Sequence, residues 1–183
     1  MEILFIVLAI VVVIIVFVIS LYNRLVKLNV NVEEAFSSMD VYLKKRYDLI
    51  PNLVETVKGY AAHEKETLER VIRARNSAMS ATEPGQVIEA NNQLAMGLKS
   101  IFALAESYPD LKANEGFVNL QNQLSKIEED ISNARLYYNG NVKIFNKTIV
   151  VFPNVIIANM LGFDQKPFFE IEESERENVR VQF

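Results

Sequence analysis

Cysteine is absent from this 183-residue chain, histidine occurs once, and glycine and proline number only 6 and 5. Without cysteine there is neither a disulfide framework nor a thiolate metal site, an absence that fits a reducing compartment. The lone histidine, His63, is followed by Glu64, but a zinc-protease helix needs a second histidine four residues on, and Thr67 stands there. With one histidine, the serines and tyrosines form no evident nucleophile–base–orienter set. Glycine-rich phosphate loops are missing. The adjacent acids Glu128-Glu129-Asp130 point in different directions around a helix, so they make no general acid–base pair and are expected to form a solvated face. The sequence therefore offers no catalytic, cofactor-binding or metal-ligating residue, and the expectation is a protein that is not an enzyme. A basic excess is lacking too. Net charge is −4, and Asn23–Phe163 balances 16 bases against 16 acids, so no nucleic-acid partner is expected. From Asp164 to the end, six acids face three bases, which suits a solvated acidic tail.

What the chain does have is a long apolar run. Ile3–Ile19 is unbroken over 17 residues, and extension to Tyr22 makes 20. At a rise of about 1.5 Å per residue, that helix spans roughly 30 Å, the thickness of a bilayer core. A cleaved signal peptide would want basic residues ahead of the run and small residues after it. Only Met1 and Glu2 precede it and no A-x-A pattern follows, so an uncleaved anchor is expected. Arg24 and Lys27 follow the span, with Lys44, Lys45 and Arg46 further on. The positive-inside rule then puts the short N-terminus outside and the C-terminal domain in the cytoplasm.

Beyond the anchor, the apolar spacing predicts an all-α bundle of long antiparallel helices, continuous with the span. Leu21, Leu25, Leu28, Val32, Ala35, Met39 and Tyr42 alternate in steps of four and three, one stripe on a helix. Pro51 removes a backbone donor and disfavours helix at Ile50, which predicts a kink or short break. A second helix is expected from about Pro51 to Ala81, with Leu53, Val57, Tyr60, Ala61, Leu68, Val71, Ile72 and Ala78 facing inward, and a turn follows at Thr82–Gly85. A third runs from Gln86 to Ser107, with Val87, Ala90, Leu94, Leu98, Ile101, Leu104 and Tyr108 as its stripe. The fourth, capped by Asn114, carries Phe117, Leu120, Leu124, Ile127, Ile131, Ala134 and Tyr138, then Val142, Phe145 and Ile149 after one extra four-residue step. Pro153 stops or bends it. A short apolar segment, Val155–Leu161, closes at Gly162, and weak alternation over Phe168–Ile171 and Val179–Phe183 suits a small hairpin or an extended tail. The expected organisation is an anchor over 1–22, a helical bundle over 23–163 and an acidic tail over 164–183.

Lys44-Lys45-Arg46 is the one basic cluster. Lys45 lies about 35 Å along a continuous helix from Tyr22, so salt bridges to neighbouring helices are expected rather than headgroup binding. Asn23, Asn139 and Asn146 each adjoin an aromatic residue and suit a role in fixing helix register. Asn146-Lys147-Thr148 matches a glycosylation sequon inside an expected cytoplasmic helix and is read as chance.

Three groups of segments together resemble the LemA family of bacterial membrane proteins. The first is Tyr22–Leu28, Val41–Arg46 and Asp48–Val54. The second is Val57–Ala61 with His63-Glu64, Ala74-Arg75 and Tyr108–Asn114. The third is Ala134-Arg135, Tyr138-Asn139, Phe152-Pro153 and Gly162-Phe163. The resemblance covers nearly the whole chain. It implies a membrane-anchored antiparallel helical bundle with a small outer N-terminus, and it brings no catalytic residue or cofactor. Some relatives are linked to organelle-like membrane structures of magnetic bacteria, and others sit near membrane proteases. Phe36 stands where the family has tryptophan and Phe145 where tyrosine is usual. The function expected from all this is a self-assembling scaffold or adaptor on the cytoplasmic face. Its partners would be the bilayer, further copies of the chain and a membrane protein. The alternative is an accessory modulator of a membrane protease or envelope-stress system.

Overall fold

The computed structural model describes residues 1–169, and among them there are helices and no strands. Six helices follow in order: α1 (Glu2–Lys58), α2 (Lys65–Ser80), α3 (Pro84–Ala105), α4 (Pro109–Lys112), α5 (Glu115–Val150) and α6 (Asn154–Leu161). The chain divides into two compact units. One holds Met1–Ser38 with Leu136–Phe168, and the other holds Met39–Arg135 with, among the described residues, Phe169.

In the first unit, the N-terminal part of α1 is long and apolar enough to cross a membrane, and every residue from Met1 to Ser20 is exposed. In lipid only a helix satisfies each backbone group internally, which outweighs the weak helix propensity of its valines and isoleucines. Beyond Ser20 the stripe turns inward: Leu25, Val32 and Ala35 are buried, as are Tyr138, Val142, Phe145 and Ile149 of α5. The Phe36 and Tyr138 rings meet at 5.6 Å. After Val150 the chain bends by 100° into α6, and Gly162 ends that helix at φ 71°, a left-handed position glycine adopts without strain. Phe163 N–H then closes on Ala158 O at 3.0 Å.

The second unit holds α1 from Met39 onward, α2, α3, α4 and the start of α5. Here two expectations are corrected. First, Pro51 does not break the chain. It lies inside α1, which continues to Lys58, and the interruption falls at Gly59–Glu64. A prolyl residue leaves the carbonyl four residues earlier without its N–H partner, and that carbonyl is Tyr47 O. Arg75 Nε of α2 donates to it at 2.8 Å. Leu53, Val54 and Val57 continue the buried stripe past the proline. Between Val57 and Leu68 only Ala61 is buried, so little holds a helix together there, and Gly59 weakens it further. Second, Pro84 and Gly85 belong to α3 rather than to a turn, because proline's missing N–H costs nothing at a first helical position. Tyr60 and Ile72, expected inward, are exposed. The expected Asn114 cap is present: its Oδ1 accepts from Phe117 N–H at 2.9 Å, and its Nδ2 donates to Tyr60 Oη at 2.9 Å. The expected hairpin beyond Phe169 lies outside the described residues.

α2 and α3 form a hairpin in which Gly97 allows close approach. A Cβ added there would meet Val71 Cγ2 at 3.1 Å. Val71 is buried and β-branched, so it cannot rotate away. Gly97→Ala is therefore expected to destabilise by about 1 kcal/mol despite the better helix propensity of alanine. Thermal melts of the full chain in mild detergent check this: in a Val71→Ala background, which removes the clashing methyl, Gly97→Ala should no longer destabilise.

Candidate interaction groove and its buried polar support

Between α3 and α5, within the second unit, lies a groove of about 480 Å³. Its apolar lining comes from Met96, Leu98, Phe102 and Leu124, and its polar lining includes Asn92, Lys99, Glu128 and Arg135. Phe102 meets Phe117 edge-on at 6.3 Å, and the Arg135 guanidinium lies 4.1 Å from the Phe169 ring centre. Leu98 and Leu124 are buried because α3 and α5 each turn one apolar stripe inward.

Glu128 links this wall to a buried polar cluster. Arg46 is fully buried. Its Nη1 donates to Glu128 Oε1 at 2.7 Å and its Nη2 to Asn91 Oδ1 at 2.6 Å. The same Asn91 oxygen accepts from Tyr47 Oη at 2.8 Å, while Asn91 Nδ2 donates to Val87 O at 2.8 Å. Burial pushes the Tyr47 phenol above its ordinary value of 10.0, against the opposing pull of the Asn91 hydrogen bond and the Arg46 charge. The phenol therefore stays protonated and donates. Three helices, α1, α3 and α5, meet at one guanidinium.

This cluster bears out the sequence reading at one point and corrects it at another. Arg46 makes the salt bridge to a neighbouring helix that was expected of the basic cluster, and it does so from the core, while Lys44 and Lys45 are exposed. Glu128 is not simply a solvated acid, for its carboxylate neutralises that buried charge. A signal was present, since Arg46 falls in the buried stripe through Met39, Leu43, Tyr47 and Ile50. The expected register asparagines also separate. Asn23 is exposed. Asn146 grips the Lys166 backbone in the first unit, donating to its O at 2.9 Å and accepting from its N–H at 2.8 Å. Tyr138 Oη adds a bond to Pro167 O at 2.9 Å. Asn91, which the sequence did not single out, is the amide that joins helices.

Chemically the groove suits an apolar side chain with polar groups at its edge. His63 is exposed, and it does not line the groove. Among the described residues no three of His, Cys, Asp or Glu group as a metal site.

The family model for the LemA family matches residues 35–183. The chain belongs to the LemA family. It is similar to Protein LemA of Metamycoplasma hominis, at 26% identity over 161 residues, covering 86% of this chain and 72% of that protein. It is also similar to Magnetosome protein MamQ 2 of Paramagnetospirillum magneticum (21% over 175 residues) and Magnetosome protein MamQ of Magnetospirillum gryphiswaldense (22% over 174 residues). Each of these matches covers 81% of this chain and 64% of the magnetosome protein, so the chain spans less than two thirds of their length. None of these names is that of an enzyme. One helix long and apolar enough to cross a membrane, together with LemA membership, fits a single-pass membrane protein.

Proposed function

We propose that this LemA protein is a non-enzymatic scaffold or adaptor held on the cytoplasmic face of a bacterial membrane, and that copies assemble side by side. The observation that carries the reading is α1. One helix runs without interruption from the apolar span through Pro51 to Lys58, so the span and the buried residues Leu25, Val32 and Ala35 lie on the same helix. Relatives named as magnetosome proteins fit a membrane-associated role. Orientation follows from Arg24 and Lys27 directly after the span. The span lacks a G-x-x-x-G pair, so its ridges of valine and isoleucine suit broad side-by-side packing rather than a tight dimer. The second reading, an accessory modulator that presents substrates to a membrane protease, draws on the α3–α5 groove as a place for a partner's apolar side chain.

Crosslinking in native membranes followed by mass spectrometry separates the two: self-links favour the scaffold, and dominant links to a protease favour the modulator. For orientation, a C-terminal fluorescent reporter that folds only in the cytoplasm is expected to be bright. A C-terminal alkaline phosphatase fusion active in intact cells would overturn that placement. Gentle detergent extraction with mass photometry tests assembly. Large species that disappear on deletion of Ile3–Ile19 are expected, and a single one-chain species at all concentrations is the contrary result.

A further inference from the structure

The first unit carries a second apolar surface that its own packing leaves open. Phe152 is 80% exposed and Met160 75%, with Ile156 between them. Ile156 and Met160 are four apart on α6, Phe152 lies in the turn just before it, and Val151 and Leu161 flank them, also exposed. The opposite face of α6, Asn154, Ile157 and Ala158, is buried. α6 contains no charged residue. A stripe of this kind on a water-facing helix calls for a cover.

The antiparallel register says what the cover is. Residues 1–38 cluster with 136–168, and the ring of Phe36, near the end of the first segment, meets that of Tyr138, near the start of the second, at a 60° tilt. The two segments therefore run in opposite directions. Val150 and Arg24 stand equally far from that ring pair, about 18 Å along each helix at 1.5 Å per residue. Leu25 and Ile149 at that level are both buried, as the register requires. Arg24 is also where the apolar span gives way to charge. The 100° bend after Val150 then turns α6 away from the direction of α5, level with the end of the apolar run of α1. Arg24, Lys27 and Lys147 are exposed within a turn of that level. Tyr22 is 44% exposed there and Phe152 follows Val150 by two residues, aromatic groups of the kind that favour the membrane–water boundary.

We propose that the Val151–Phe152 corner and α6 lie in the headgroup–acyl boundary of the bilayer that α1 crosses, as a second membrane contact of the same unit. The stripe 152/156/160 enters the acyl edge, Asn154, Ile157 and Ala158 keep α6 on the bundle, and the neighbouring cations meet anionic headgroups. This contact fixes the rotation and tilt of the unit at the surface, which a single span leaves free. The inference rests on α1 spanning the membrane.

The chain has no tryptophan, so single reporters are clean. The full chain is reconstituted in vesicles of phosphatidylcholine and phosphatidylglycerol with Ile156→Trp, Met160→Trp, Leu8→Trp or Tyr137→Trp. Lipids brominated near the headgroup or deep in the chain, and aqueous acrylamide, serve as quenchers. Expected are blue-shifted emission at 156 and 160, strong quenching by shallow bromolipid, and loss of most acrylamide quenching. Position 8 should respond to deep bromolipid and position 137 to acrylamide. If 156 and 160 match 137 while 8 is quenched in the bilayer, α6 is in water and the proposal falls. Protection from acrylamide without bromolipid quenching means that a second copy covers the stripe, which also overturns it. No bromolipid quenching at position 8 would remove the span itself and this inference with it. Two reporter positions guard against one substitution that disturbs α6.

Discussion

Asn91→Leu is expected to lower unfolding stability by about 3 kcal/mol, because it leaves a buried charge short of partners rather than because it alters packing. Asn91 Oδ1 is the shared acceptor for Arg46 Nη2 and Tyr47 Oη. Leucine has similar volume, so the void is small, but Tyr47 Oη loses its acceptor and Arg46 Nη2 is left with only the long 3.4 Å contact to the backbone O of residue 91, in a buried site. Arg46 would keep Glu128, whose side chain is 40% exposed and therefore a screened partner. Arg46→Met is expected to cost less, about 1 kcal/mol, since the charge goes with the side chain and the half-exposed Glu128 regains water. In the Arg46→Met background, Asn91→Leu should lose most of its effect. Urea unfolding of the full chain in mild detergent, followed by circular dichroism, measures the cycle. Equal costs for Asn91→Leu in both backgrounds would show that the shared acceptor is not what holds the three helices together.

The second large effect concerns Pro51. Arg75→Leu is expected to cost about 2 kcal/mol by leaving Tyr47 O without a donor inside the helix contact. In a Pro51→Ala background the alanine N–H reaches the same carbonyl, so Arg75→Leu should then cost only a few tenths of a kcal/mol. The coupling tests the claim that a side chain from α2 replaces the hydrogen bond that proline removes. Additive costs would mean that α1 tolerates Pro51 for another reason. The same cycle read by amide hydrogen exchange should show faster exchange from Ile50 to Lys58 in Arg75→Leu and protection restored when Pro51→Ala is added.

Much of the helix pattern was legible because stripes of apolar residues at three–four spacing depend only on local geometry. Leu25, Val32, Ala35 and Met39 in α1, Leu94, Leu98 and Ile101 in α3, and Phe117, Leu124 and Ile131 in α5 are all buried as their spacing required. Asn114 and Gly162 acted at helix ends, where one side chain or one φ angle decides the outcome. Pro51 misled for the opposite reason. Its penalty is local, but the compensating donor, Arg75, lies on another helix. Tyr60 and Ile72 were placed inward by extending a stripe across a stretch that is not one helix. The groove was not legible, because it is a gap between α3 and α5 and no run of sequence encodes a gap.

The sequence by itself determined that the described residues are helical, that one segment suits a bilayer and which faces of the helices are apolar. These follow from composition and periodicity along a single helix, whereas the resemblance to the LemA family rests on particular segments such as Tyr22–Leu28 and Tyr108–Asn114. The tertiary structure alone decided that Arg46 is a core residue held by Asn91 and Glu128, that α1 continues to Lys58, and that the chain turns through 100° from α5 into α6. Each depends on groups far apart in the chain: a buried charge is tolerated only where remote partners converge on it, and a helix orients only against the surface it packs on.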